Sequence, residues 1–130
     1  MSSHELRTPL GRVRGLGSAK EGVTHHIRQR VSAIALIFLV PWFVYSVSDA
    51  TGGAYEDAVS FIGHPINAIL LILTVGAAFY HMRLGMQVVI EDYISKTGTR
   101  QALLILNSFV TIALFAASAL SVLKIWIDAP

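Results

Sequence analysis

The sequence contains no cysteine. Disulfides, thiolate-held iron–sulfur clusters and a cysteine nucleophile are therefore excluded from this chain. Histidine is left as its one good transition-metal ligand. Charge is also scarce. Asp, Glu, Lys and Arg make up 14% of the 130 residues, against about a quarter in ordinary soluble domains. No charged residue at all occurs between Gln101 and Leu123. The opening residues lack the early apolar core and small-residue cleavage site of a signal peptide, so the polar N-terminal segment is expected to be retained.

What fills the space left by charge is hydrocarbon. The hydrophobic fraction is 54%, concentrated in three runs, 31–47, 66–90 and 102–127. Each is close to or above the roughly 20 residues that cross about 30 Å of bilayer core. A soluble chain of this length cannot bury three such helices on all sides. The expected fold is all-α: an integral membrane anchor of three transmembrane helices, at about 28–48, 65–93 and 100–127, forming part of a heteromeric helix bundle. Residues 1–27 are expected to be a tail, and 28–127 the transmembrane domain.

Along the chain, the tail carries Arg7, Arg12, Arg14 and Lys20, with Pro9 and several glycines. It shows no helical period. Gly15-Leu16-Gly17 lacks the preceding strand and third glycine of a nucleotide loop. Thr24 reads as an N-cap for the first helix. Ordinary interfacial cations would account for His25, His26, Arg28 and Arg30. Pro41 should kink helix one and free a carbonyl. Tyr55, Val59 and Ile62 fall at helical spacing and suggest a short interfacial helix in the first loop. His64-Pro65 opens helix two, with proline in the first turn, where its missing N–H is harmless. His64 is assigned no role. In helix three, Ala113, Ala117 and Ser121 recur every four residues, a ridge suited to close packing on helix two or another subunit. Trp126 is an interfacial anchor at its end.

Six of the ten Lys and Arg residues lie before the first apolar run, none between the first two helices, and two between the second and third. The N-terminus and the second loop are thus expected on the cytoplasmic side.

The second helix carries the chemistry. His81 lies within its apolar run, and Asp92-Tyr93 follows eleven residues later. Eleven steps of 100° return to nearly the same helix face. His81, Gly85, Val88 and Asp92 therefore form one stripe, with Tyr93 at its shoulder. The rise is roughly 16 Å. An ionisable group at that depth is a functional candidate by default.

Gly85 clears room one turn from His81, and Gly76-Ala77-Ala78 thins the helix on the other side. Arg28 and Arg30 belong to the same membrane edge and can meet an anion. An axial imidazole, small residues under a flat ring and cations for propionates are what a haem needs. One histidine supplies one ligand, so a bis-histidine haem would take its second from another chain. A histidine that merely hydrogen-bonds a neighbouring carbonyl is the competing explanation. At the Asp92-Tyr93 end, a phenol can donate to a quinone carbonyl and a carboxylate can relay protons. Ordinary interface residues would look the same.

His81 followed by Asp92-Tyr93 on the second of three spanning helices resembles the D-type membrane-anchor family of succinate dehydrogenase (complex II). Gly22-Val23 and Arg30-Val31-Ser32-Ala33 are similar to that family's entry to helix one, and the likeness spans roughly 22–127. The arginine-histidine-leucine motif of the companion C-type anchor is absent. Gln29-Arg30-Val31-Ser32-Ala33 resembles the alphaproteobacterial or mitochondrial form.

The resemblance implies a membrane-anchor subunit of succinate:ubiquinone oxidoreductase, with no dehydrogenase centre in this chain alone. His81 would be an axial ligand of the iron of haem b, shared with the C-type cytochrome b anchor subunit. Gly85 would pack against the haem, and Arg30 would approach a propionate or the quinone pocket. Tyr93 and Asp92 would bind ubiquinone, the substrate. FAD and iron–sulfur clusters would belong to the flavoprotein and iron–sulfur subunits only. The lipid bilayer is the other partner, with no nucleic acid. The expected location is the bacterial inner membrane, as a multi-pass protein, in preference to the mitochondrial inner membrane. His25 and His26 occupy the place of a family histidine without a unique register, and neither is assigned its role. The alternatives are an anchor of fumarate reductase or another quinone-linked complex, and a haem-free structural anchor. A channel is disfavoured by the uncharged third helix.

Overall fold

The computed structural model describes residues 20–50 and 52–129. The tail residues Arg7, Pro9, Arg12, Arg14 and Gly15-Leu16-Gly17 lie outside them. Four helices account for nearly all described residues: α1 (Lys20–Ala50), α2 (Tyr55–Gly63), α3 (Pro65–Tyr93) and α4 (Thr97–Asp128). The chain is a multi-pass membrane protein, with α1, α3 and α4 each long and apolar enough to span.

Helix α1 starts eight residues before the expected 28, so Thr24 is not an N-cap but lies inside the helix. Polarity alone does not stop a helix. Between Lys20 and Pro41 no proline intervenes, and each added residue gains a hydrogen bond once the helix is nucleated. The helix runs on through Pro41 to Ala50.

The short α2 confirms the spacing of Tyr55, Val59 and Ile62. Its first turn holds Glu56 and Asp57, which suit the positive end of the helix dipole. The Asp57 carboxylate also accepts the Ala54 N–H at 2.8 Å. Helix α2 touches all three spanning helices and so seals one end of the molecule. Its Phe61 ring stacks on Trp42 of α1, with centroids 6.4 Å apart. The Phe61 carbonyl accepts from Asn67 Nδ2 of α3 at 2.9 Å. Gly63 lies against Ala129, where a side chain would collide.

Helix α3 is the middle element. It packs on α1 and on α4, while α1 and α4 share no packed interface among the described residues. The three spans therefore form a layer one helix thick. Of the most apolar stretch of α1, α3 and α4, only 11%, 17% and 6% is buried by the chain itself. Lipid and other helices must cover the remainder.

On α4, the side facing α3 carries Asn107, Thr111 and Phe115; the Ala113, Ala117, Ser121 ridge, expected to pack on helix two or another subunit, is exposed and so does not lie against helix two. Asn107 Nδ2 donates to the Arg83 carbonyl at 3.0 Å, and the Phe115 ring sits over Gly76. The expected spacing of small residues was real, but that ridge is turned toward whatever lies outside the chain. The buried hydroxyls of Thr74 and Thr111 bond back to the carbonyls of Leu70 and Asn107 on their own helices.

Candidate functional site

Because α3 is one continuous helix from Pro65 to Tyr93, the stripe of His81, Gly85, Val88 and Asp92 is preserved. Opposite His81 on α1 lies Ser32, only 6% exposed. Its hydroxyl oxygen is 3.0 Å from His81 Nδ1 and 2.9 Å from the Gln29 carbonyl oxygen.

Only one proton arrangement makes both contacts hydrogen bonds. The Gln29 carbonyl can only accept, so the Ser32 hydroxyl hydrogen points to it. The remaining contact is a hydrogen bond only if His81 Nδ1–H donates to Ser32 Oγ. In the neutral ring Nε2 is then the unprotonated nitrogen, and its lone pair is uncommitted. An imidazole held by an Nδ1–H bond with Nε2 free is the arrangement that metal-ligating histidines adopt.

Space beside the ring is also present. A Cβ built on Gly85 would meet nothing within 4 Å. Gly76 admits the Phe115 ring of α4, since a Cβ there would lie 3.2 Å from Phe115 Cε2. Among the described residues, no three His, Cys, Asp or Glu side chains converge on one point. A bare metal ion therefore finds no multidentate set, whereas a lone imidazole with a free Nε2 fits an axial ligand supplied to a haem.

The other expected residues stand apart from His81. Asp92 and Tyr93 are exposed at the end of α3, Tyr93 at 82%. Arg30 is exposed on α1, on the far side of the helix from buried Ser32. The chain thus brings together His81, Ser32 and Gln29, and leaves Arg30, Asp92 and Tyr93 facing outward. His64 caps α3 through its backbone carbonyl, which accepts from the Ala68 N–H at 3.0 Å. Its side chain is exposed. His26 is exposed, but His25 is half-buried, and its Nε2 is buried without a hydrogen-bond partner.

Sequence reasoning missed Ser32 as the partner of His81. A hydroxyl at the start of the apolar run 31–47 was the available signal. Choosing its partner, however, requires the register of α1 on α3.

The comparisons with known proteins agree with this architecture. Residues 4–117 match the family described as "Succinate dehydrogenase/Fumarate reductase transmembrane subunit". A succinate dehydrogenase hydrophobic membrane anchor subunit from Paracoccus denitrificans is 34% identical over 94% of both chains. Its counterpart from Rickettsia bellii is 36% identical over 87% of this chain and 93% of the relative. A membrane anchor subunit from Reclinomonas americana is 31% identical over 62% of this chain. The chain belongs to the succinate dehydrogenase/fumarate reductase transmembrane subunit family, on the branch of the hydrophobic membrane anchors.

Proposed function

We propose that this chain anchors a succinate:ubiquinone oxidoreductase and contributes one axial ligand of haem b and part of the ubiquinone-reduction site. The observation that carries the reading is the Ser32–His81 bond, which leaves Nε2 free. The relatives named as succinate dehydrogenase anchors favour succinate oxidation over the fumarate-reducing direction.

In this reading His81 Nε2 would hold the haem iron, and a second ligand would come from the C-type cytochrome b anchor. Ser32 orients the imidazole and keeps its proton on Nδ1. Gly85 leaves room for the ring plane. Arg30, exposed at the same edge of the membrane, neutralises a propionate or faces the quinone pocket. The haem, when bound, supplies a one-electron redox centre.

At the end of α3, the Tyr93 hydroxyl donates a hydrogen bond to a quinone carbonyl. Reduction to the quinol takes two electrons and two protons. The electrons would be supplied from succinate by the FAD and iron–sulfur clusters of the flavoprotein and iron–sulfur subunits. The protons come from water, passed through Asp92, whose exposure lets it reload. The anchored assembly lies in the bacterial inner membrane with the N-terminus and the 94–96 loop on the cytoplasmic side, as the Lys and Arg distribution indicates.

The test is a reduced-minus-oxidised optical spectrum of the complex purified through this chain, with succinate as the sole reductant. A b-type band with co-purifying flavin is expected. Flavin without haem would reduce His81 to a packing residue. Absence of both haem and flavin would overturn the assignment to a succinate dehydrogenase.

A further inference from the structure

The side of α3 carrying Tyr80 is not the side that opens at Gly85. Five residues at 100° each separate the two by roughly 140°. On the Tyr80 side the one-helix-thick layer forms a trough between α1 and α4, and three cavities open into it.

The uppermost, of about 480 Å³, is lined by His25, Arg28, Tyr80, Arg83 and Gln87 among others. It contains two guanidinium groups and no carboxylate. No ion pair involves Arg28 or Arg83 among the described residues. Glu91, one turn beyond Gln87, is exposed and accepts a bond from Gln87 Nε2 at 2.9 Å. His25, which also lines this cavity, holds the one buried side-chain nitrogen or oxygen without a partner among the described residues. Buried polar atoms are rarely left so. The polar end of the trough thus has strong donors and no anion.

Two apolar grooves run from this cavity toward the middle of the membrane. One, of about 460 Å³, begins at Arg28 and passes Val31, Ala35, Gly76 and Ala77. The other, of about 220 Å³, begins at Arg83 and passes Phe79, Thr111, Ile112 and Phe115. Tyr80 lines all three cavities and stands between the grooves. Each arginine marks the junction of the polar cavity with one groove. Arg28 also lies three residues before the apolar run that starts at Val31.

We propose that this trough is a binding site for an anionic diacyl glycerophospholipid. The phosphate sits between Arg28 and Arg83, and the two acyl chains straddle Tyr80 along the two grooves. Charge complementarity selects the anionic head, and the forked apolar path selects two tails attached to it. A free phosphate would leave both grooves empty. A helix from a partner protein would fill a single trough and would not divide at Tyr80.

The test begins with the complex solubilised in mild detergent from membranes carrying the full chain. Native mass spectrometry then measures retention of phosphatidylglycerol against phosphatidylcholine with the same acyl chains. Phosphatidylglycerol is expected to be held at least tenfold more strongly. Arg28→Gln and Arg83→Gln are each expected to reduce that retention about fivefold, whereas Lys124→Gln, outside the trough, leaves it unchanged. Equal retention of the two lipids overturns the proposal, and that arm needs only the unaltered protein. Displacement by millimolar inorganic phosphate overturns it in favour of a free-anion site. Photocrosslinking from Tyr80→benzoylphenylalanine is expected to give an adduct of phospholipid mass, and an adduct to a polypeptide overturns the lipid assignment. Flavin content of the same preparation reports separately on the succinate dehydrogenase reading.

Discussion

The two ends of the His81–Tyr93 stripe lie on one helix face but differ in how they are supported. At His81 the chain supplies its own partner: Ser32 orients the ring and is itself held by the Gln29 carbonyl. At Asp92 and Tyr93 nothing from the chain closes over the side chains, and Tyr93 is 82% exposed. In the proposed reading His81 is a ligand atom that must be held to a fraction of an ångström before iron arrives, which its support within the same polypeptide would provide. In the same reading a quinone at Asp92 and Tyr93 must enter and leave at every turnover, which suits a pocket left open by this chain.

That contrast can be broken most directly at His81. His81→Ala should abolish or displace the b-type band while flavin content persists. An unchanged band would remove His81 from the ligand set and leave the two ends with nothing to distinguish them. Next in size is Tyr93→Phe, which keeps the ring and removes the hydroxyl. Quinone reduction should fall on the order of 10²-fold, while succinate oxidation by a soluble dye stays nearly intact. Equal loss of both activities would mean that Tyr93 supports docking of the soluble subunits and not the quinone.

Ser32→Ala sharpens the comparison. It leaves Nδ1–H without its acceptor and frees the tautomer. Haem should still bind, but with about tenfold weaker retention and a shifted reduction potential. An unaltered potential would show that another group orients the ring. The smallest effect belongs to the interface on the other side of α3. Asn107→Ala removes the bond to the Arg83 carbonyl and should lower stability by about 1 kcal/mol, read as a lower Tm of the complex with an unchanged spectrum. A spectral change there would show that the α3–α4 packing also positions His81.

Much of this was legible in the residues because it is periodic or local. Three apolar runs separated by polar loops define three spans, and Pro65 marks the start of α3 within one residue. The spacing from His81 to Asp92 needs only the helix repeat. Other features escaped for a common reason. The start of α1 at Lys20 was hidden because polar residues continue a helix as readily as they end it. Whether the Ala113 series packs on α3 or faces another subunit was left open, because the Ala113 and Asn107 series both repeat every four residues. In a membrane no hydrophobic pattern says which of them faces protein.

The sequence by itself determined the all-α class, the number of spans, the absence of any cysteine-held cluster, and the single intramembrane histidine with its Asp-Tyr pair. Bilayer thickness and the 100° helical step leave those little freedom. Only the tertiary structure decided that Ser32 meets His81, that Asn107 and Phe115 meet α3, and that Arg28 and Arg83 flank one cavity. Each joins residues from different helices, and the offset and rotation of one helix on the next come from side-chain packing, which no single helix contains.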